Sequence, residues 1–193
     1  LNTIQYRCFF MTKRIFQKYK NGILGPANAV YNAFYDDNYY YMQFNDRFWY
    51  DRELNGLSLV AGKYYAPNIT TNDSELLITF DWGISLNHAL EHNTAPTDYK
   101  EQVTAILQDL VSNNIYKINA YPWTFFVIDG QVKLMDCYAC TTLEDEIPFS
   151  LIGDIINDSN RFVFKDNMLD VKETYKKTLE YENEFWPEEF LNG

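Results

Sequence analysis

The sequence predicts an α+β domain: an antiparallel, strand-rich first half carrying one helix, followed by a helical second half. Three observations predict it. Residues 29–35 and 39–44 read as two aromatic-rich strands, separated by the turn Asp36-Asp37-Asn38, which is a hairpin pattern. From Asp46 the apolar residues change to a spacing of 3–4, that of an amphipathic helix. Beyond Asp81-Trp82-Gly83 the helical spacing dominates, most clearly in Val103, Ile106, Leu107, Leu110 and Val111. That boundary separates residues 1–82, the sheet-rich part, from residues 83–193, the helical part. No internal repeat and no Gly/Ser- or Pro-rich linker is visible.

Each element has a local cause. Residues 1–14 read as a possible extension, and Arg7 in the middle of the apolar start argues against a signal peptide. Residues 13–20 fit a strand or a short helix, and Asn21-Gly22 opens a loop through Gly25-Pro26. After the hairpin, Asp46 is a helix-start signal, and Phe48, Trp49, Arg52, Glu53, Leu54 and Leu57 carry the helix toward Gly62. Residues 64–67 and 76–80 read as strands joined across Thr71-Asn72-Asp73. Ser85 caps a short helix that ends at His92, and Thr97 or Asp98 starts the longer one. Residues 125–128 and 132–135 are apolar strands joined by Asp129-Gly130, a two-residue hairpin turn. Residues 148–156 and 171–181 close the chain as helices.

Composition narrows the function. A chain of 193 residues that is 47% hydrophobic fills one core or two small ones. With 27 acidic against 16 basic side chains the net charge is −11. A nucleic-acid binder needs a basic face to displace counterions, and an anionic membrane surface needs the same, so neither is expected as a partner. No apolar run approaches the roughly 20 residues that span a bilayer. The three cysteines, Cys8, Cys137 and Cys140, are too few and odd in number for a disulfide framework. A reducing, cytoplasmic location is therefore expected, and the sequons at Asn68 and Asn72 are read as chance.

The segment 116–138, YKINAYPWTFFVIDGQVKLMDCY, carries the clearest chemistry. Asp136 follows the apolar strand Val132-Lys133-Leu134-Met135 and leaves the core just as the chain turns. A carboxylate in that place suits a hard cation, or it caps the next turn. Residues 129–138 resemble the hairpin and metal-binding Asp-Phe-Gly of the protein-kinase-like fold. Lys117-Ile118-Asn119-Ala120-Tyr121-Pro122-Trp123-Thr124 lies over that family's catalytic loop, H-R-D-L-x-x-x-N. Gly25, Asn28 and Val30 match the last two glycines and the valine of its glycine-rich loop, with Ile23 at the first glycine. Gln43 falls at the phosphate-holding lysine, Glu53 at the helix glutamate that pairs with it, and residues 76–83, including Asp81 and Trp82, at the adenine-holding strand and hinge.

The resemblance covers about residues 15–140 and implies a two-lobed fold, a small antiparallel sheet plus one helix over a helical lobe. It implies ATP with Mg²⁺ or Mn²⁺ as the bound species. The departures imply impaired chemistry. Asn119 stands at the catalytic aspartate and cannot act as a base, Thr124 replaces a metal-binding asparagine, and Gln43 cannot clamp phosphate. Lys18 or Lys20 on the first strand is the alternative cation. The 57 residues after Asp136 leave no room for a long activation segment and a large helical lobe. In size the chain resembles the RIO-type, lipopolysaccharide and aminoglycoside kinases. The acidic residues 141–146 lie where an activation segment begins.

Other motifs compete. His88, Glu91 and His92 form H-x-x-E-H, which on a helix places two imidazoles on one face with Glu91 as a base, as in zinc peptidases. The third ligand would be a downstream carboxylate such as Glu173. Because Pro96 ends the helix early, these residues are expected on a solvated face without metal. Cys137 and Cys140 read as two half-buried thiols. The aromatic cluster of Tyr39-Tyr40-Tyr41 with Phe48-Trp49-Tyr50 lacks basic neighbours and reads as packing, not base stacking. The acidic run 180–189 reads as a solvated helix end. The expected function is a kinase-like domain with degraded motifs that binds a nucleotide or a protein partner with little phosphoryl transfer. The alternatives are an active, atypical metal-dependent phosphotransferase, a zinc peptidase and an aromatic-rich interaction protein.

Overall fold

The computed structural model describes residues 31–35, 39–60, 64–65, 67–81, 83–147 and 162–181. The expectations for residues 13–26 and 148–156, and for Lys18 and Lys20, lie outside them. Strands β1 (Tyr31–Tyr35) and β2 (Tyr39–Phe44) pair antiparallel, with Tyr31 opposite Phe44 and Tyr35 opposite Tyr40. Strand β4 (Leu77–Asp81) lies on the other side of β2, and β3 (Thr70–Asn72) at its edge, giving the all-antiparallel order β1-β2-β4-β3. Along β2, Tyr40, Met42 and Phe44 are buried while Tyr39 and Gln43 are exposed; Ile78 and Phe80 do the same on β4. One face of the sheet therefore covers the core and the other meets water.

Helix α1 (Arg47–Leu59) starts at Asp46, whose side chain accepts from the Trp49 N–H at 3.0 Å. It turns Trp49, Tyr50, Glu53 and Gly56 inward. The described residues of 64–67, which are 64, 65 and 67, do not form the expected strand. Tyr65 makes one isolated parallel bridge to Leu134, and the strand before the turn is β3. Tyr64 and Tyr65 serve packing and hydroxyl bonds to Asp109 and Glu53 rather than a ladder; β3 is fully exposed and so carries no hydrophobic signal.

After β5 (Ile84–Ser85) come α2 (Leu86–Glu91) and α3 (Tyr99–Ser112). On α3, Val103, Ile106, Leu107 and Leu110 are buried as expected, but Val111 is 37% exposed at the margin of the stripe in the last turn. Strand β6 (Tyr116–Lys117) leads into the loop ending in a 3₁₀ turn at Pro122–Thr124. Strands β7 (Phe125–Ile128) and β8 (Gln131–Leu134) form the Asp129-Gly130 hairpin, where both turn residues have positive φ, 50° and 74°. They extend β5 into the sheet β5-β7-β8. A 3₁₀ turn at Cys137–Ala139 precedes β9 (Cys140–Thr141), which pairs with β6. The hairpin of β10 (Phe164–Lys165) and β11 (Met168–Leu169) precedes α4 (Val171–Tyr181).

The larger buried cluster runs from Tyr31, Met42 and Phe80 through Val103 and Leu110 to Leu134 and Leu179, so sheet and helices share it, and a second, smaller cluster joins Ile118, Ala139, Ile147, Leu169 and Val171. Tyr40 packs edge-on to Phe126, with ring centroids 4.9 Å apart, and sits 5.1 Å from Phe80. Tyr40, Trp49 and Tyr50 take the packing role expected for the aromatic cluster, whereas Tyr39 and Phe48 are exposed. Among the described residues no helix is long and apolar enough to cross a membrane.

Candidate functional site

Asp136 sits where β8 ends. Met135 N–H donates to the Thr124 carbonyl at 3.0 Å, pinning the strand end to the preceding loop. The next residue, Asp136, then turns in the left-handed region at φ 57°, ψ 52°. That region is tolerated by Asp more than by most residues. The carboxylate stays buried and accepts from the Tyr31 hydroxyl at 2.6 Å, a contact between residues 105 positions apart.

Lys117 holds this turn from below. The β6–β9 pairing sets Lys117 opposite Cys140 and directs its side chain into the core, where it is fully buried. Its ammonium donates to the Met135 carbonyl at 2.6 Å, the Asp136 carbonyl at 3.2 Å and Asn119 Oδ1 at 2.9 Å. An ammonium has three N–H donors, so all are used. Asn119 is also buried.

Glu53 reaches the same region from α1. It is fully buried; Oε2 accepts from the Tyr138 N–H at 2.6 Å and Oε1 from the Tyr65 hydroxyl at 3.2 Å. Burial, reinforced by the Asp136 charge, pushes the Glu53 carboxyl up to about 8, against the opposing pull of backbone N–H groups and Lys117. Burial likewise raises Asp136, opposed by Lys117 and the Tyr31 hydrogen bond. The Lys117 charge acts on both carboxyls from a distance, and burial outweighs it at each.

This has a consequence for stability. Glu53 ionises near its ordinary value in the unfolded chain but only near 8 when folded. Its stabilising contribution is therefore complete below the unfolded value and lost as pH rises through the folded one, and Asp136 shifts in the same direction. Glu53→Gln, neutral at every pH, is expected to flatten that decline, which approaches about 1.4 kcal/mol per pH unit for one full proton. Urea denaturation at pH 5 and pH 8 checks this: the variant should gain on the wild type at pH 8 and not at pH 5.

The other expected residues are placed as follows. The Thr124 hydroxyl lies 2.9 Å from the Asn119 and Tyr121 carbonyls and is buried. Gln43 is exposed on the outer face of β2. The β2 residue that shares a partner with Glu53 is Met42, whose Sδ lies 3.8 Å from the Tyr65 hydroxyl. Asp81 ends β4 and accepts from Asn68 Nδ2 at 2.9 and 3.2 Å. Gly25, Asn28, Val30 and Trp82 lie outside the described residues. Cys137 and Cys140 are fully buried rather than half-buried, because α1 covers their turn; burial pushes the Cys137 thiol up. Among the described residues the ligand atoms around His88 and His92 are completed by Glu91, and Glu173 is not with them.

No sequence pattern marks Tyr31 or Tyr65 for this neighbourhood, and Lys117 enters the catalytic-loop match without a role of its own. For Lys117 there was a signal, a lysine inside the apolar stretch from Ile115 to Ile118. The arrangement can hold a cation through the Asp136 carboxylate once the Tyr31 hydroxyl gives way. It offers no buried cation free for a phosphate among the residues described above, since Lys117 is committed.

No family model matches the chain, and no curated protein matches it. Among solved structures, it is similar to one described as a crystal structure of monomeric WbdD, at 15% identity and a TM-score of 0.47, over 69% of this chain and 37% of that one. It is also similar to a medium-resolution structure of the bifunctional kinase-methyltransferase WbdD, at 15% identity and a TM-score of 0.45, over 70% of this chain and 35% of that one. The chain thus corresponds to a little over a third of that protein's length.

Proposed function

We propose that this chain is a two-lobed kinase-like domain, with lobes 1–82 and 83–193, that binds a nucleotide weakly through a divalent metal on Asp136 and transfers phosphoryl groups little or not at all. One observation carries the reading. Among the described residues, Glu53 has a backbone N–H and the Tyr65 hydroxyl for partners where the resemblance puts a phosphate-holding lysine, and the buried ammonium of Lys117 is spent on Asn119 and the 135–136 backbone. Phosphoryl transfer depends on positioning and charge stabilisation, so losing the clamp and the base removes turnover more completely than binding. Gly25, Asn28, Val30, Asp81 and Trp82 take the nucleotide-facing roles, with Mg²⁺ or Mn²⁺ as the metal. Thr124 gives at most a weak second ligand, its hydroxyl already lying between two carbonyls.

Binding is weak in this reading for a second reason: the metal must displace the Tyr31 hydroxyl from a buried carboxylate. The buried free thiols Cys137 and Cys140 fit a reducing, cytoplasmic setting. The test is thermal denaturation with ATP, with and without Mg²⁺ or Mn²⁺. A small, metal-dependent rise is expected, absent in Asp136→Ala. Asn119→Asp alone should not yield a kinase. Robust turnover by the wild type would overturn the reading in favour of an atypical metal-dependent phosphotransferase. No shift with either metal would leave a protein-partner role.

A further inference from the structure

The chain has two histidines, and the fold sets both on one side of α2. Their rings lie 4.2 Å apart, centroid to centroid, at 61°. One ligand atom from each imidazole and a carboxylate oxygen of Glu91 all fall within 4.8 Å of one another. Local structure maintains this. The Ser85 side chain caps the helix at the His88 N–H, 3.3 Å away. At the other end the His92 N–H donates to the His88 carbonyl at 3.1 Å, so the helical register persists through the second imidazole although the regular helix stops at Glu91. The Thr94 and Ala95 N–H groups both bond the Ala89 carbonyl, at 2.8 and 3.2 Å, which secures the exit before Pro96. The early helix end therefore does not separate the pair. Asn87 Nδ2 holds Glu91 Oε1 at 2.8 Å and orients the carboxylate.

We propose that His88, Glu91 and His92 bind one Zn²⁺ ion, with water completing the coordination. Two imidazoles and one carboxylate are a donor set for borderline transition metals rather than for Mg²⁺ or Ca²⁺. Zinc bonds of about 2.0–2.2 Å require the donor atoms to close in from their present separation. Glu91 and His92 are exposed and His88 half-buried, so rotamer adjustment suffices. Glu91 acts here as a ligand and so does not serve as the general base that a peptidase would need from it. The ion cross-links one turn of a six-residue helix, a length too short to be stable by itself. Helix α2 packs on the Pro122–Thr124 turn, so zinc steadies the loop that carries Asn119 and Thr124. This site stands independently of the kinase-like reading.

The test uses the full chain and zinc chloride alone. Calorimetric titration should give one equivalent of bound zinc. With only two histidines, the imidazole proton signals in an NMR titration should shift together. At free zinc ten times the dissociation constant, the folded-to-unfolded ratio should rise roughly ten-fold. Asn87→Ala, which removes the group orienting Glu91, should weaken binding by about ten-fold, and His88→Ala or His92→Ala by more. Glu91→Gln, a change to an exposed side chain, provides a variant whose folding is not at issue and should also lose affinity. Zinc that leaves the imidazole signals unmoved, binds only at millimolar concentration, or stays stoichiometric in a His88→Ala/His92→Ala variant would overturn the proposal.

Discussion

Gly56→Ala is expected to destabilise the protein severely, by about 3 kcal/mol or more, lowering the melting temperature by roughly 6–12 °C. Alanine is the better helix former by about 1 kcal/mol, so an exposed glycine in α1 would gain from the change. Gly56 instead faces the Cys137–Ala139 turn. A Cβ there would stand 2.5 Å from the Cys137 carbonyl carbon, closer still to its oxygen, and 3.0 Å from its Cβ. A backbone carbonyl held in a turn cannot rotate aside as a side-chain end would, so helix and turn must separate. Separation also strains the contacts that α1 makes with that turn: Glu53 to the Tyr138 N–H at 2.6 Å and Arg52 Nε to the Tyr138 carbonyl at 3.2 Å. Steric overlap therefore outweighs helix propensity. Gly130→Ala is the contrast. Nothing lies within 4 Å of a Cβ there, and only its φ of 74° opposes a side chain, so about 1–2 kcal/mol is expected. Thermal denaturation followed by circular dichroism ranks the two; an unchanged melting temperature for Gly56→Ala would contradict the packing described.

The difference between these glycines shows what a sequence makes legible. Asp129-Gly130 reads as a hairpin turn because the required positive φ is local chemistry, and the Asp46 and Ser85 caps read as helix starts for the same reason. Gly56 carries no such mark, since its partner is 81 positions away along the chain. The exposed strand β3 leaves no trace in the pattern because it has no apolar face, and the helical period puts Val111 in the core because it does not locate the margin of a stripe. On β2 the period of two makes a one-residue choice decisive: Gln43 looks outward and Met42 inward, toward the Tyr65 hydroxyl that Glu53 shares. Glu53, Asn119 and Asp136 were singled out from the sequence and meet in one hydrogen-bonded neighbourhood. What joins them, Lys117, Tyr31, Tyr65 and the Tyr138 backbone, depends on tertiary contacts that no local pattern encodes.

Lys117→Met is expected to cost about 3–5 kcal/mol, the range for removing one partner of a buried charged network. Methionine nearly matches the lysine stem in volume, so the loss reports charge and hydrogen bonding rather than a cavity. Three acceptors, the Met135 and Asp136 carbonyls and Asn119 Oδ1, would be left without their donor. Lys117 also opposes the burial that raises both Asp136 and Glu53, so its removal moves both carboxyls further up. Carboxyls raised in the folded state cost stability as pH increases, so the deficit of the variant should grow between pH 5 and pH 8. Adding Asp136→Asn should restore part of the loss, because removing both charges leaves neither one buried alone, and the asparagine oxygen still accepts from the Tyr31 hydroxyl. A double-mutant cycle by urea denaturation at both pH values measures the coupling. If Lys117→Met were as stable as the wild type at pH 8, the ammonium would not be what holds the left-handed turn at Asp136, and the rigid placement of that carboxylate would need another cause.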